Sequence, residues 1–141
     1  MTQAQAFIIW CIDPRIQTSF REWLLSIGLK DKYDPFTCAG AALNLVRPDN
    51  EQIRDFIFNQ IQIGLEHHGI SQVYLVNHLD CAAYGGSKTF PSQDTERKRH
   101  IDDLRQARKI VKARFPKLEV LLFLARKEGN REFNWSFEQI P

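Results

Sequence analysis

The chain has 141 residues, 43% hydrophobic and 26% charged, which suits one globular domain with its own core and argues against a disordered chain. A formal net charge of only +2 gives no electrostatic case for nucleic acid or an anionic membrane as partner. No apolar run approaches the roughly 20 residues of a membrane span, and the polar start Met1–Ala6 does not read as a secretory leader. Three cysteines, an odd number, read as reduced thiols in a cytoplasmic protein, with metal binding ahead of a disulfide framework.

The first predicted element is a strand over about residues 6–12, built on Phe7-Ile8-Ile9-Trp10 and leading into Cys11-Ile12-Asp13-Pro14-Arg15. Asp13 before Pro14 is a helix-start signal, and Ile16, Phe20, Trp23, Leu24 and Ile27 carry the helix on one face up to Gly28. Tyr33 to Cys38 reads as an edge strand because Pro35 lies within it. Ala39-Gly40-Ala41-Ala42 is a small-residue stretch where backbone can approach another group closely. Pro48-Asp49-Asn50-Glu51 starts a helix with the ladder Ile53, Ile57, Ile61 and Leu65, closed by Gly69.

Val73 to Val76 reads as a strand buried on both faces, running directly into His78-Leu79-Asp80-Cys81. Residues 82–92, with Gly85-Gly86 and Pro91, read as a loop, and a helix from about Gln93 to Phe115 follows, its buried stripe Ile101, Leu104, Val111 and Phe115. Val120 to Leu124 is a second doubly buried strand, and Glu132 to Ile140 alternates as a half-exposed edge strand. Strands alternating with helices predict an α/β fold: one domain over 1–141, with a mostly parallel central sheet and helices on both faces.

In such sheets chemistry gathers beyond the carboxyl ends of the strands. If the first and central strands are parallel neighbours, Cys11, His78 and Cys81 converge there. Two thiolates and an imidazole form the ligand set of a catalytic zinc with an open fourth position. Asp13 and Arg15, two apart in extended chain, would project together and pair. Arg15 would keep Asp13 ionised, leaving Asp13 either to accept the proton of a zinc-bound hydroxide or to enter the metal's fourth position itself.

Cys11-x-Asp13-x-Arg15 together with His78-x-x-Cys81, each after an apolar strand, resembles the β-class carbonic anhydrases. The resemblance follows the element order from roughly residue 6 to 125, with identity mostly in the two motifs and Ala39-Gly40. It implies a zinc lyase that interconverts CO2 and bicarbonate, with Cys11, His78 and Cys81 as metal ligands and Asp13 and Arg15 as the catalytic dyad. It also implies a homodimer or higher homo-oligomer. Two alternatives stay open: the same chemistry on another small electrophile such as COS or CS2, and a non-catalytic zinc-binding module.

The remaining candidates have plainer readings. Cys38 reads as buried filler. His67 and His68 close a helix, where a cation suits the dipole, and with His100 they are the histidines available as proton relays. Tyr84 either overhangs the metal or packs its loop, and Asp80 either supports a ligand or faces water. The basic residues from Arg97 to Arg114 read as a solvated helix face.

Overall fold

The computed structural model describes residues 2–141. Five strands form one sheet in the order β2-β1-β3-β4-β5: β1 Ala6–Trp10, β2 Tyr33–Thr37, β3 Gln72–His78, β4 Glu119–Lys127 and β5 Trp135–Ile140. The first four are mutually parallel and β5 runs antiparallel to β4. Helices α1 Gln17–Ser26, α2 Leu43–Val46, α3 Glu51–Ile63 and α4 Gln93–Arg114 make the crossovers.

Strict alternation along the strands divides the core into two layers. Phe7, Ile9, Val73, Leu75, Val120, Leu122 and Leu124 pack on one face with Leu45, Ile57, Ile61, Leu104 and Val111 from α2, α3 and α4. Ile8, Trp10, Tyr74, Val76 and Phe123 face the other way, against Phe20 and Leu24 of α1. Fully burying one such side chain contributes about 1.5–3 kcal/mol.

The connection from β1 leads to β2 on one side, whereas β3 and β4 continue on the other. The β1–β3 pair is therefore the topological switch point, where loops diverge and leave a crevice at the carboxyl edge. Cys11 follows β1 there and His78 is the last residue of β3.

Several local expectations shift. The first strand stops at Trp10, because Asp13 caps a 3-10 turn over Pro14–Ile16 before α1 begins. Ile27 is 42% exposed and so leaves the apolar face assigned to it. The central strand extends to His78, so this histidine ends the strand instead of lying past it. Helix α3 continues as a π-helical turn, Gly64–His68, that Gly69 closes at φ +65°. Residues 82–92 contain two 3-10 turns, Ala82–Tyr84 and Ser87–Thr89. The short α2 after the small-residue stretch carries too little periodicity to be foreseen. The last strand begins at Trp135, and Phe133 before it is 62% exposed.

Candidate metal centre

Cys11, His78 and Cys81 come together as one buried cluster, each offering a ligand atom within 4.8 Å of the others. The Cys11 and Cys81 Sγ atoms stand 3.9 Å apart. His78 Nδ1 donates to the Leu79 carbonyl at 2.8 Å, which assigns the proton to Nδ1 and turns Nε2 into a free lone pair. That Nε2 is buried and has no hydrogen-bond partner among the described residues. An orphaned imidazole lone pair beside two thiols is costly without an ion. The donor set fits a zinc-like metal, as soft thiolates and an imidazole in a closed pocket do.

The thiols are already biased toward that role. The first proton leaves Cys11 easily: the Cys81 thiol donates to the resulting thiolate, burial opposes, and the Gly40 N–H adds support. Cys81 moves the opposite way, because the neighbouring Cys11 thiolate and burial both resist a second negative charge. A cation is what allows both to ionise. Gly40, at φ +84°, brings its N–H to 3.5 Å from Cys11 Sγ, so the small-residue stretch does make a close backbone approach.

Asp13 and Arg15 pair as expected, but by a different route. They share no extended segment. The Asp13 carboxylate caps the 3-10 turn by accepting the Arg15 backbone N–H at 2.9 Å, and the turn brings the Arg15 side chain back over it. Nε and Nη2 of Arg15 then donate to the carboxylate at 3.2 and 2.8 Å. Burial raises the Asp13 pKa, but the Arg15 hydrogen bonds outweigh it and hold the carboxyl below its ordinary value. Asp13 Oδ2 lies 3.8 Å from His78 Nε2, next to the ligand cluster and outside it.

Several residues around this centre take roles that the sequence did not assign to them. Trp135 of β5 meets the His78 ring edge-on at 5.5 Å and lies under the Arg15 guanidinium at 5.3 Å. Asn77, between Val76 and His78 near the end of β3, accepts the Ala42 N–H and donates to Tyr84 Oη and His100 Nδ1. Helix α4 buries Glu96, His100 and Asp103 along the stripe that also carries Leu104, Ala107 and Val111. Asp103 accepts from Tyr84 Oη and from both terminal nitrogens of Arg47. Spacing i, i+4, i+7 places these three polar residues on one face, a signal hidden by the charged residues between them.

Tyr84 therefore packs its loop, against His100 at 4.1 Å. His100 is fully buried, and burial pushes its pKa down to about 4. His67 and His68 lie before β3, about 20 Å of strand away from His78 at ~3.3 Å per residue. None of the three histidines is placed as a proton relay to the surface. Cys38 is half-buried and accepts from Asn44 Nδ2 at 3.3 Å. Asp80 does not simply face water: it binds Arg15 through its carboxylate and its carbonyl.

The mostly parallel sheet that carries this Cys-His-Cys cluster and Asp–Arg pair at its switch point has the fold of solved carbonic anhydrases. Carbonic anhydrase from Streptococcus mutans superposes with a TM-score of 0.64 at 13% identity, covering 99% of this chain and 83% of that one. Carbonic anhydrase from Glaciozyma antarctica does so with a TM-score of 0.54 at 14% identity, covering 89% of this chain and 79% of that one. Over residues 1–140 the sequence belongs to the family described as "Putative carbonic anhydrase". Among its relatives are uncharacterized proteins of Rickettsia bellii and Rickettsia conorii, each 30% identical over 132 residues. The alignments cover 92% of this chain, and 80% and 71% of those proteins respectively.

Proposed function

We propose that the chain is a zinc-dependent carbonic anhydrase, converting CO2 and water to bicarbonate and a proton, and the reverse. The observation carrying this reading is the convergence of Cys11, His78 and Cys81 with Asp13 held beside them by Arg15. Zinc bound there would act as a Lewis acid, bringing a water within reach of ionisation near neutral pH.

The chain's own residues do the rest. Cys11 and Cys81, as thiolates, and His78 Nε2 hold the ion, and the Leu79 carbonyl fixes the imidazole's orientation. Arg15 keeps Asp13 anionic and aimed, so Asp13 accepts a hydrogen bond from the attacking oxygen and turns that oxygen's lone pair toward the CO2 carbon, the released proton passing to solvent buffer. Two thiolates cancel the metal's charge, which makes this acceptor more important than it is beside three neutral ligands. Asp13 binds Arg15 instead of joining the ligand cluster, which supports an open fourth position over a closed, non-catalytic site.

Assembly as a homodimer or higher homo-oligomer belongs to the same proposal. Its support is the open edge of β2 beside an apolar depression of about 350 Å³ lined by Phe36, Ile53 and Phe56, the last 56% exposed. No helix is long and apolar enough to cross a membrane among the described residues, and a cytoplasmic location remains part of the proposal. Metal analysis of the purified protein, with CO2 hydration measured on wild type and Asp13→Asn, tests the reading. Stoichiometric zinc with hydration lost in the variant is the expected result. Zinc without hydration at any pH would reject the enzyme.

A further inference from the structure

Arg15 is shared between two carboxylates. Beyond Asp13, its Nη1 donates to Asp80 Oδ2 at 3.0 Å and its Nη2 to the Asp80 carbonyl at 2.9 Å. Asp80 sits between the two ligands His78 and Cys81 at φ +60°, a left-handed conformation that is uncommon outside glycine and that Asp tolerates, its place here fixed by its surroundings.

Those surroundings are supplied by Glu96 of α4, a carboxylate-bearing residue only 2% exposed. The Asp80 backbone N–H donates to Glu96 Oε2 at 2.8 Å. Ser87 Oγ donates to both Glu96 oxygens at 2.9 and 3.0 Å, and Ser87 N–H returns to Asp80 Oδ1 at 2.9 Å. A buried carboxylate is costly unless donors converge on it, and here the donors belong to the turn that anchors Arg15.

We propose that Glu96 is a positioning residue of the metal centre: by fixing Asp80 and Ser87 it anchors Arg15, and so keeps the Asp13 carboxylate out of the metal's fourth position. The proposal rests on the reading of Cys11, His78 and Cys81 as ligands, and adds the control of the open site. Asp13 Oδ2 is already 3.8 Å from His78 Nε2, so a small displacement brings it to the ion. With Asp80 released, Arg15 and Asp13 are free to move as one hydrogen-bonded pair. The metal then stays bound while its outer position closes to external ligands.

The test uses the full chain loaded with cobalt(II) and titrated with azide, followed by visible absorption. Cobalt stoichiometry and the thiolate charge-transfer band are expected to be unchanged in Glu96→Ala, with azide binding weakened about tenfold or more, the scale of outer-shell effects at metal sites. Glu96→Gln, which keeps an oxygen for the Asp80 N–H, is expected to bind azide nearly as wild type does. Adding Asp13→Ala to Glu96→Ala is expected to restore azide binding, because the closing carboxylate is gone. Should Glu96→Ala not fold, Asp80→Asn, which tolerates the left-handed turn and weakens the anchor, is expected to show the same loss.

Unchanged azide affinity in these variants overturns the proposal. So does a loss that Asp13→Ala fails to reverse, or a loss of cobalt itself. CO2 hydration by the zinc-loaded wild type separates this outcome from the proposed reaction. An inactive wild type with Glu96-dependent azide binding sinks the reaction alone, and an active wild type with indifferent variants sinks the positioning role alone.

Discussion

The Asp13 carboxylate stands 3.8 Å from the unpartnered Nε2 of His78, and Arg15 is what holds it there. Replacing Asp13 by Asn keeps size and capping ability but removes the anionic acceptor that orients the attacking oxygen. CO2 hydration is expected to fall by about 100-fold or more, the scale of a lost alignment between reacting atoms, with zinc content unchanged. The folded Asp13 pKa lies below the ordinary 3.8, so its stabilising charge is fully present above that value. That contribution is lost only as pH falls through the lower, folded value. Asp13 therefore stays ionised across the neutral range, and an activity limb there reports another group.

Removing a ligand leaves the others with too few partners. Cys11→Ser, Cys81→Ser and His78→Ala are each expected to yield protein with well under one zinc per chain by metal analysis. In wild type, chelation is expected to lower Tm. Saturation at 100 times Kd contributes about 2.7 kcal/mol to the folded state, and differential scanning calorimetry with and without chelator reads the difference.

His100 supplies a pH dependence of stability. Its pKa falls from 6.5 to about 4 on folding, so the unfolded chain binds the extra proton between those values. Stability is complete above the unfolded value of 6.5 and declines as pH drops toward about 4. Fully developed, the loss amounts to about 3 kcal/mol. Gln in place of His100 keeps an acceptor for Asn77 and cannot titrate. Urea unfolding of His100→Gln across this window is expected to show a flatter acid limb than wild type.

Gly40 combines φ +84° with tight quarters: a Cβ there would stand 3.0 Å from Ala83 Cβ and 3.1 Å from a Leu43 methyl. Gly40→Ala is expected to cost about 1–2 kcal/mol from the left-handed backbone alone. It is also expected to weaken zinc binding, since the Gly40 N–H contact to Cys11 Sγ depends on that close approach. Urea unfolding and a competitive zinc titration check the two effects separately.

The sequence by itself determined the sheet and the Cys-His-Cys cluster at its edge. Apolar runs bounded by caps and glycines are local signals, and they placed β1, β3 and β4 with α1, α3 and α4 between them. Cys11, His78 and Cys81 were legible because strand ends of a parallel sheet share one edge, so motifs 67 residues apart meet once β1 and β3 are neighbours. Only the tertiary structure decided how that edge is held. Asp13 and Arg15 pair through a 3-10 turn that an extended reading could not foresee. Glu96, His100 and Asp103 look like solvated helix charge until α4 is docked, when their partners at Asp80, Asn77, Tyr84 and Arg47 arrive from other elements. Hydrophobic periodicity is written along the chain, whereas a buried polar contact needs two segments fixed in space. Which charges are buried, and against what, is therefore settled only by the fold.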